Sequence, residues 1–391
     1  MTTKLQGFAD ERFAAVQEAL QRRLDAGTEL GASVAVTLDG EPVVDLWGGW
    51  ADVERTRPWE RDTLTNVWSV TKTVTGLAAL VLVERGELDV YQKVAHYWPE
   101  FAAQGKAEIE VRHLLGHTSG LSGWEAPFAM EDMYDWDRST SLLAAQAPWW
   151  EPGTASGYHA MTYGHLVGEV VRRITGDKLG AFVAKEIAGP LGADFHIGLD
   201  PADFARVSVN VPPSMPEPAP ASADAPAAPP VDPGSVAVKT FTGPVQRFDI
   251  VGEEGWLRAD IGAANGQGNA RSVARLQSVV SNGGEVDGVR LLSPATIDLI
   301  FDEQANGVDL AIGIPLAFGI GYGLPQPESV AFVPTGRRCY WIGAGGATVV
   351  NDLENRMTVA YVPNQLAFDL PMGSVSGAEY IRAAFAAVSS R

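Results

Sequence analysis

Apolar side chains recur at helical spacing near the start of the chain. Phe8, Phe13, Val16, Leu20 and Leu24, followed by Gly27, predict a helix over 8–26. The pattern then changes to runs rich in β-branched residues. Residues 32–38 and 42–46, joined by Asp39-Gly40, predict two strands of a hairpin. From Ser69 to Arg85 the chain is apolar nearly all round, with Val74, Leu77, Leu80 and Leu82, and it stops at Gly86. That predicts a buried helix. Shorter helical stretches follow at 111–116, 141–146, 162–174 and 179–187, punctuated by Gly153, Gly157, Gly176 and Gly189-Pro190. After Asn269, helices are predicted at 271–281 and 294–301. Strands follow at 316–322, 338–342, 347–351 and 357–362, the last three spaced as a meander, and a helix at 378–388 closes the chain.

Strand-and-helix material at both ends thus brackets a helical middle. The economical architecture is an α/β domain split between residues 1–90 and 266–391, with a mostly helical domain inserted at 91–265. A chain of 391 residues exceeds the size at which single cores usually stop growing, which fits two units. Residues 212–233 are mostly Pro, Ala, Ser and Asp, a composition that packs no core and predicts an exposed loop or linker. A lid over the site is its functional alternative.

Composition narrows the partners. The formal charge is −19, from 48 acidic and 29 basic residues. Such a field repels phosphate backbones and anionic bilayers, so neither nucleic acid nor membrane is an expected partner. A single cysteine, Cys339, excludes an intrachain disulfide. The first residues carry no apolar leader, and the longest apolar run, Leu77 to Val83, is too short to span a bilayer. The expectation is a cytoplasmic protein whose partner is a small molecule; nothing in the sequence sets the oligomeric state.

Candidate chemistry begins at Ser69-Val70-Thr71-Lys72, at the start of the buried helix. Positions three apart share a helix face, so the amine can reach the hydroxyl. A serine hydroxyl needs a base, and burial at a helix N-terminus disfavours a charged amine. Alone, this spacing is a weak signal, and an N-cap serine beside a surface lysine is the plain alternative. Other sites are thinner still. No G-x-S-x-G elbow occurs, the six histidines show no metal-ligand spacing, and no loop cradles phosphate, so neither metal nor cofactor is expected. His117 offers a serine–histidine reading, but nothing places its carboxylate partner.

Two further strings change the weight of the motif. Trp68-Ser69-Val70-Thr71-Lys72, Gly116-His117-Thr118-Ser119-Gly120 and Pro152-Gly153-Thr154-Ala155-Ser156-Gly157-Tyr158 occur in this order. Together they resemble the class C β-lactamases, DD-peptidases and family VIII carboxylesterases over nearly the whole chain. The resemblance implies a central antiparallel sheet flanked by helices, with a mostly helical second domain. It implies Ser69 as nucleophile, with Lys72 and Tyr158 handling the proton and the Lys72 cation depressing the Tyr158 pKa. The string Trp341-Ile342-Gly343 matches the family's third motif. Trp341, Gly343 and Ala160 would then line the substrate pocket, and the amides of Ser69 and Ala344 would form the oxyanion hole.

Two departures separate the chain from β-lactam specialists. Ala160 stands where an asparagine is common, and Trp341 stands where a carboxylate-binding lysine would stand. Lys239-Thr240-Phe241 lacks the glycine of that motif and is a decoy. The expected activity is hydrolysis of neutral short-chain esters through an acyl-enzyme. A β-lactamase or amidase with the same site, or a non-catalytic penicillin-binding-like protein, are the alternatives.

Overall fold

The computed structural model describes residues 4–212 and 232–389, so most of the Pro/Ala-rich stretch 212–233 lies outside the described residues. Nine antiparallel strands form the main sheet. They are β1 (Gln6–Ala9), β2 (Gly31–Leu38), β3 (Glu41–Gly49), β4 (Ala305–Val308), β5 (Pro315–Phe318), β6 (Gly323–Leu324), β7 (Arg338–Ile342), β8 (Thr348–Asp352) and β9 (Met357–Pro363). Their spatial order is β1-β3-β2-β9-β8-β7-β6-β5-β4. The N-terminal hairpin joins the C-terminal meander through β2 and β9, from Leu38 opposite Met357 to Ala32 opposite Pro363. Three of the nine strands therefore join the other six only through contacts between the two ends of the chain.

Five helices matter most for the core: α1 (Ala14–Ala26), α2 (Thr71–Glu84), α3 (Thr162–Thr175), α4 (Ala270–Ser281) and α5 (Val375–Ser389). Strand side chains alternate between faces. Val34, Val36, Val359, Tyr361 and Tyr340 meet Phe13, just before α1, Val16 and Leu20 of α1, and Tyr380 and Ile381 of α5. Ala35, Ala360, Val349, Cys339 and Trp341 face the other way, into a larger core with α2, α3 and α4. Both faces are covered, which is why β2 and β9 read as largely apolar runs and why even the polar residues of β8 are buried. Within the larger core every residue of α2 from Thr71 to Leu82 is buried, as its apolar sequence predicts.

Three local expectations are corrected. The first helix begins at Ala14, not Phe8; Phe8 lies in edge strand β1 opposite Asp45 and is 46% exposed. Gly7, at φ +97°, fits there because a Cβ would lie 1.8 Å from the Asp45 carbonyl oxygen. The predicted strand 316–322 breaks into β5 and β6 around a tight turn in which Gly321 adopts φ +80°. The helix predicted at 141–146 starts earlier, at Trp136, where the Asp135 side chain caps it by accepting the Arg138 N–H.

A buried carboxyl joins this scaffold. Glu29 accepts hydrogen bonds from Tyr361 on β9 at 2.8 Å and Tyr380 on α5 at 3.3 Å. Burial pushes its pKa up to about 7, and the tyrosine hydroxyls only partly oppose the shift. The folded chain therefore binds this proton more tightly than the unfolded chain does. The resulting stability is fully present below the ordinary value of 4.5 and is lost as pH rises through about 7. Its full extent is about 3 kcal/mol. Glu29→Gln cannot ionise. Urea denaturation between about pH 5 and pH 8 should therefore show the variant gaining on wild type as pH rises, by up to that amount. A difference that stays constant with pH would show that Glu29 ionisation carries no weight.

Candidate active site

The segment that carries Ser69 is held in an unusual turn. Trp68, just before it, has φ +49°, a conformation a bulky residue adopts only when its surroundings impose it. Its indole N–H donates to Asn210 Oδ1 at 3.1 Å, and its ring packs on Phe248 and Trp256. The turn Trp68–Val70 leads into α2 and leaves Ser69 half-buried, facing a cleft.

Lys72 follows one helical turn later and is fully buried. Its Nζ lies 3.1 Å from Ser69 Oγ and 2.8 Å from each of two carbonyl oxygens, those of Ala160 and Ala263. Burial drives its pKa well below the ordinary lysine value. A neutral amine has two N–H bonds and one lone pair. As an ammonium Lys72 would donate to all three oxygens; once neutral, with its N–H groups on the two carbonyls, its lone pair would face the Ser69 hydroxyl.

Tyr158 comes from the loop before α3. Its hydroxyl is 2.7 Å from Ser69 Oγ, and its ring lies under the Lys72 amine, 4.8 Å away. Burial pushes its pKa up to about 12; its hydrogen bonds with Ser69 and Trp341 pull it down, and the nearby Asp309 adds to the rise. This corrects the expectation of a depressed tyrosine. Burial works against the Lys72 cation that the expectation required, and the same dry surroundings disfavour a phenolate.

Strand β7 forms the third wall. Alternation turns Trp341 towards the larger core, 6.2 Å from the Tyr158 ring between centroids. Gly343 then passes tightly against the turn that holds Ser69. A Cβ there would lie 2.6 Å from the Val67 carbonyl oxygen and 3.3 Å from the Ser69 amide nitrogen. Only glycine allows that approach. Ala344 follows at the cleft, and Ala160 lines it as well. The cleft measures about 510 Å³.

The β-lactamase family model matches residues 16–375. The chain belongs to the β-lactamase family. It is 35% identical over 379 residues to the esterase/β-lactamase LipL of Mycobacterium tuberculosis, covering 95% of this chain and 85% of that one. Among solved structures it superposes on a family VIII carboxylesterase with a TM-score of 0.89 at 35% identity, covering 98% and 100% of the two chains. A penicillin-binding protein homolog from Caulobacter crescentus gives 0.87 at 36% identity, with the same coverage.

Within this β-lactamase-family site, the residues singled out by sequence converge: Ser69, Lys72, Tyr158, Trp341, Gly343, Ala344 and Ala160. His117 sits beneath them rather than on Ser69. It is fully buried at φ +61°, and its Nδ1 accepts the His159 backbone N–H at 3.0 Å. Its ring packs among Tyr158, Tyr163, Phe318 and Trp341. Burial drives its pKa well down, so it is a neutral part of the floor. Lys239, the decoy, is bound to Glu125 at 2.8 Å and lies over Trp149. No helix among the described residues is long and apolar enough to cross a membrane.

Sequence reasoning missed Asp309, which lies between β4 and β5. Its Oδ1 accepts N–H bonds from Tyr158 at 3.1 Å and from Ala311 and Ile312 at 2.9 Å. The two local bonds form an Asx-type turn that the sequence could have suggested. The bond to Tyr158, 151 positions away, has no local signature. The Ala263 carbonyl and Asn210 escaped notice for the same reason.

The position of Tyr158 makes its protonation state measurable. Ultraviolet titration of wild type minus Tyr158→Phe should show this phenol ionising only as pH approaches about 12. Ionisation below the ordinary value of 10.0 would overturn the reading of a buried, protonated tyrosine.

Proposed function

We propose that the protein hydrolyses neutral carboxylic esters through an acyl-enzyme on Ser69. One observation carries the reading: Ser69 Oγ lies between a buried amine at 3.1 Å and a partly buried phenol at 2.7 Å, at a cleft whose lining among the described residues includes no lysine or arginine. The similarity to the esterase/β-lactamase LipL and to a family VIII carboxylesterase supports the ester class.

The chemistry follows from the two shifted groups. Neutral Lys72 takes the Ser69 proton as Oγ attacks the ester carbonyl. The amides of Ser69 and Ala344 receive the developing oxyanion. Tyr158, which starts protonated, gives its proton to the departing alkoxide. The acyl-enzyme then holds an ammonium beside a phenolate, each stabilising the other. That phenolate draws a proton from water, whose oxygen attacks the acyl carbon. Collapse of the second intermediate returns the Lys72 proton to Ser69 Oγ and releases the acid. Tyr158 is thus acid in the first half and base in the second, which reconciles a raised resting pKa with a part in proton transfer.

The cleft also argues about substrates. A penicillin or cephalosporin carries a carboxylate, and Trp341 offers an apolar wall where a cation would be needed. Desolvating that anion without a partner is unfavourable. A neutral ester incurs no such cost. The β-lactamase half of the LipL name keeps β-lactam turnover as the second reading.

Three measurements test the proposal. A fluorophosphonate probe should label Ser69, and Ser69→Ala should lose about 10⁴-fold or more in kcat. Labelling elsewhere with activity retained would sink the acyl-enzyme. The value of kcat/KM for p-nitrophenyl butyrate should exceed that for nitrocefin by about 10²-fold or more. A ratio near one would favour the β-lactamase reading. The kcat/KM profile should fall only as pH drops through the lowered Lys72 pKa, because an ammonium has no lone pair, with no alkaline fall until Tyr158 ionises near about 12. A bell-shaped profile centred near neutrality would reject these roles.

A further inference from the structure

Three large apolar side chains at the cleft mouth are left in water: Phe368 is 52% exposed, Phe241 37% and Val245 61%. Isolated exposed apolar residues are ordinary, but a group around a cleft marks a binding surface. These residues continue a path that starts at the nucleophile. Trp68, next to Ser69, packs edge-on against Phe248 with centroids 5.2 Å apart, and Phe248 packs against Phe368 at 5.6 Å. An aromatic ladder therefore runs from the nucleophile's neighbour to the surface. Met372 and Ile342 border the same cleft.

Size points the same way. A volume of about 510 Å³ lies in the range of sites for drug-sized ligands and leaves much of the cleft empty around an acetate or butyrate. Empty apolar space beside a reacting ester rewards each carbon that fills it. Charge narrows the class further. Among the described residues the cleft lining includes no lysine or arginine, and the chain carries −19 overall, which disfavours an anionic tail.

We infer that the preferred substrates are uncharged esters with one large apolar group, a medium-to-long alkyl chain or an aryl ring system, that lies along the Trp68–Phe248–Phe368 ladder. The inference rests on the ester reading above and goes beyond the short-chain class expected from the sequence.

The test uses two substrate series. One runs from p-nitrophenyl acetate to the decanoate; the other holds the acyl group as acetate and lengthens the alcohol over the same range. At the usual gain per buried methylene, kcat/KM should rise about 2- to 4-fold per carbon along one series, and at least about 10-fold from butyl to octyl. Phe368→Ala should lower the decyl-to-ethyl ratio at least about 5-fold in that series, since a methyl group covers far less of the chain. Phe368 is half in water, so this variant should fold. Phe8→Ala, comparably exposed on β1 away from the cleft, should leave the ratio unchanged. A merely structural effect of Phe368 would lower all chain lengths together and overturn its assignment to the subsite. Turnover of acetate and butyrate with no gain in either series would overturn the inference while the ester reading stands. Failure to turn over any ester of any length would overturn both.

Discussion

The structure is organised around a lysine amine kept dry beside a serine hydroxyl. Lys72 lies inside a helix buried on every side, and its three polar contacts come from three parts of the chain: Ser69, Ala160 and Ala263. An ammonium without a counter-ion is unfavourable there, while an amine that donates to two carbonyls is satisfied. Removing water thus pushes the lysine pKa down, and the two carbonyls fix where the amine points. The loop before α3 and the strip at 261–268 must both close on α2 to achieve this. Thr75 helps by donating to the Gly262 carbonyl at 2.6 Å, and Gly164 helps by having no Cβ to meet Gly262.

The sheet supplies the other half of the constraint. Strand β7 delivers Trp341 on its inner face and then Gly343, which presses against the turn at 67–69. That turn holds Trp68 at a positive φ, which its hydrogen bond to Asn210 and its aromatic neighbours sustain. The position of Ser69 is therefore decided by elements far apart in sequence. Asp309 plays the matching part for Tyr158, fixing its backbone from the loop between β4 and β5. Rigid neighbours on three sides suit a site that must hold its groups in register before a substrate arrives.

Charge and apolarity are separated in space. The acidic surplus is spread over a chain whose many surface ion pairs contribute little each. The cleft itself is lined by aromatic and aliphatic side chains, with Gln246 among its few polar groups. The same dryness that lowers the Lys72 pKa raises that of Tyr158.

The sequence by itself determined the parts. The periodicity of α2, the hairpin at 31–49 and the meander from β7 to β9 were legible because local pattern and burial agree there. Ser69, Lys72, Tyr158 and Trp341 were legible because their motifs are short and contiguous. The first helix was misread at Phe8 because an edge strand accommodates an exposed apolar residue as readily as a helix would extend to it. Tertiary structure alone decided the rest: the pairing of β2 with β9, the reach of Asp309 to Tyr158, the carbonyls on Lys72 and the aromatic ladder to Phe368. It also decided the sign of the Tyr158 shift. A motif names which groups meet, but a pKa depends on how much water is removed when they do, and that is set by the packing of the whole chain.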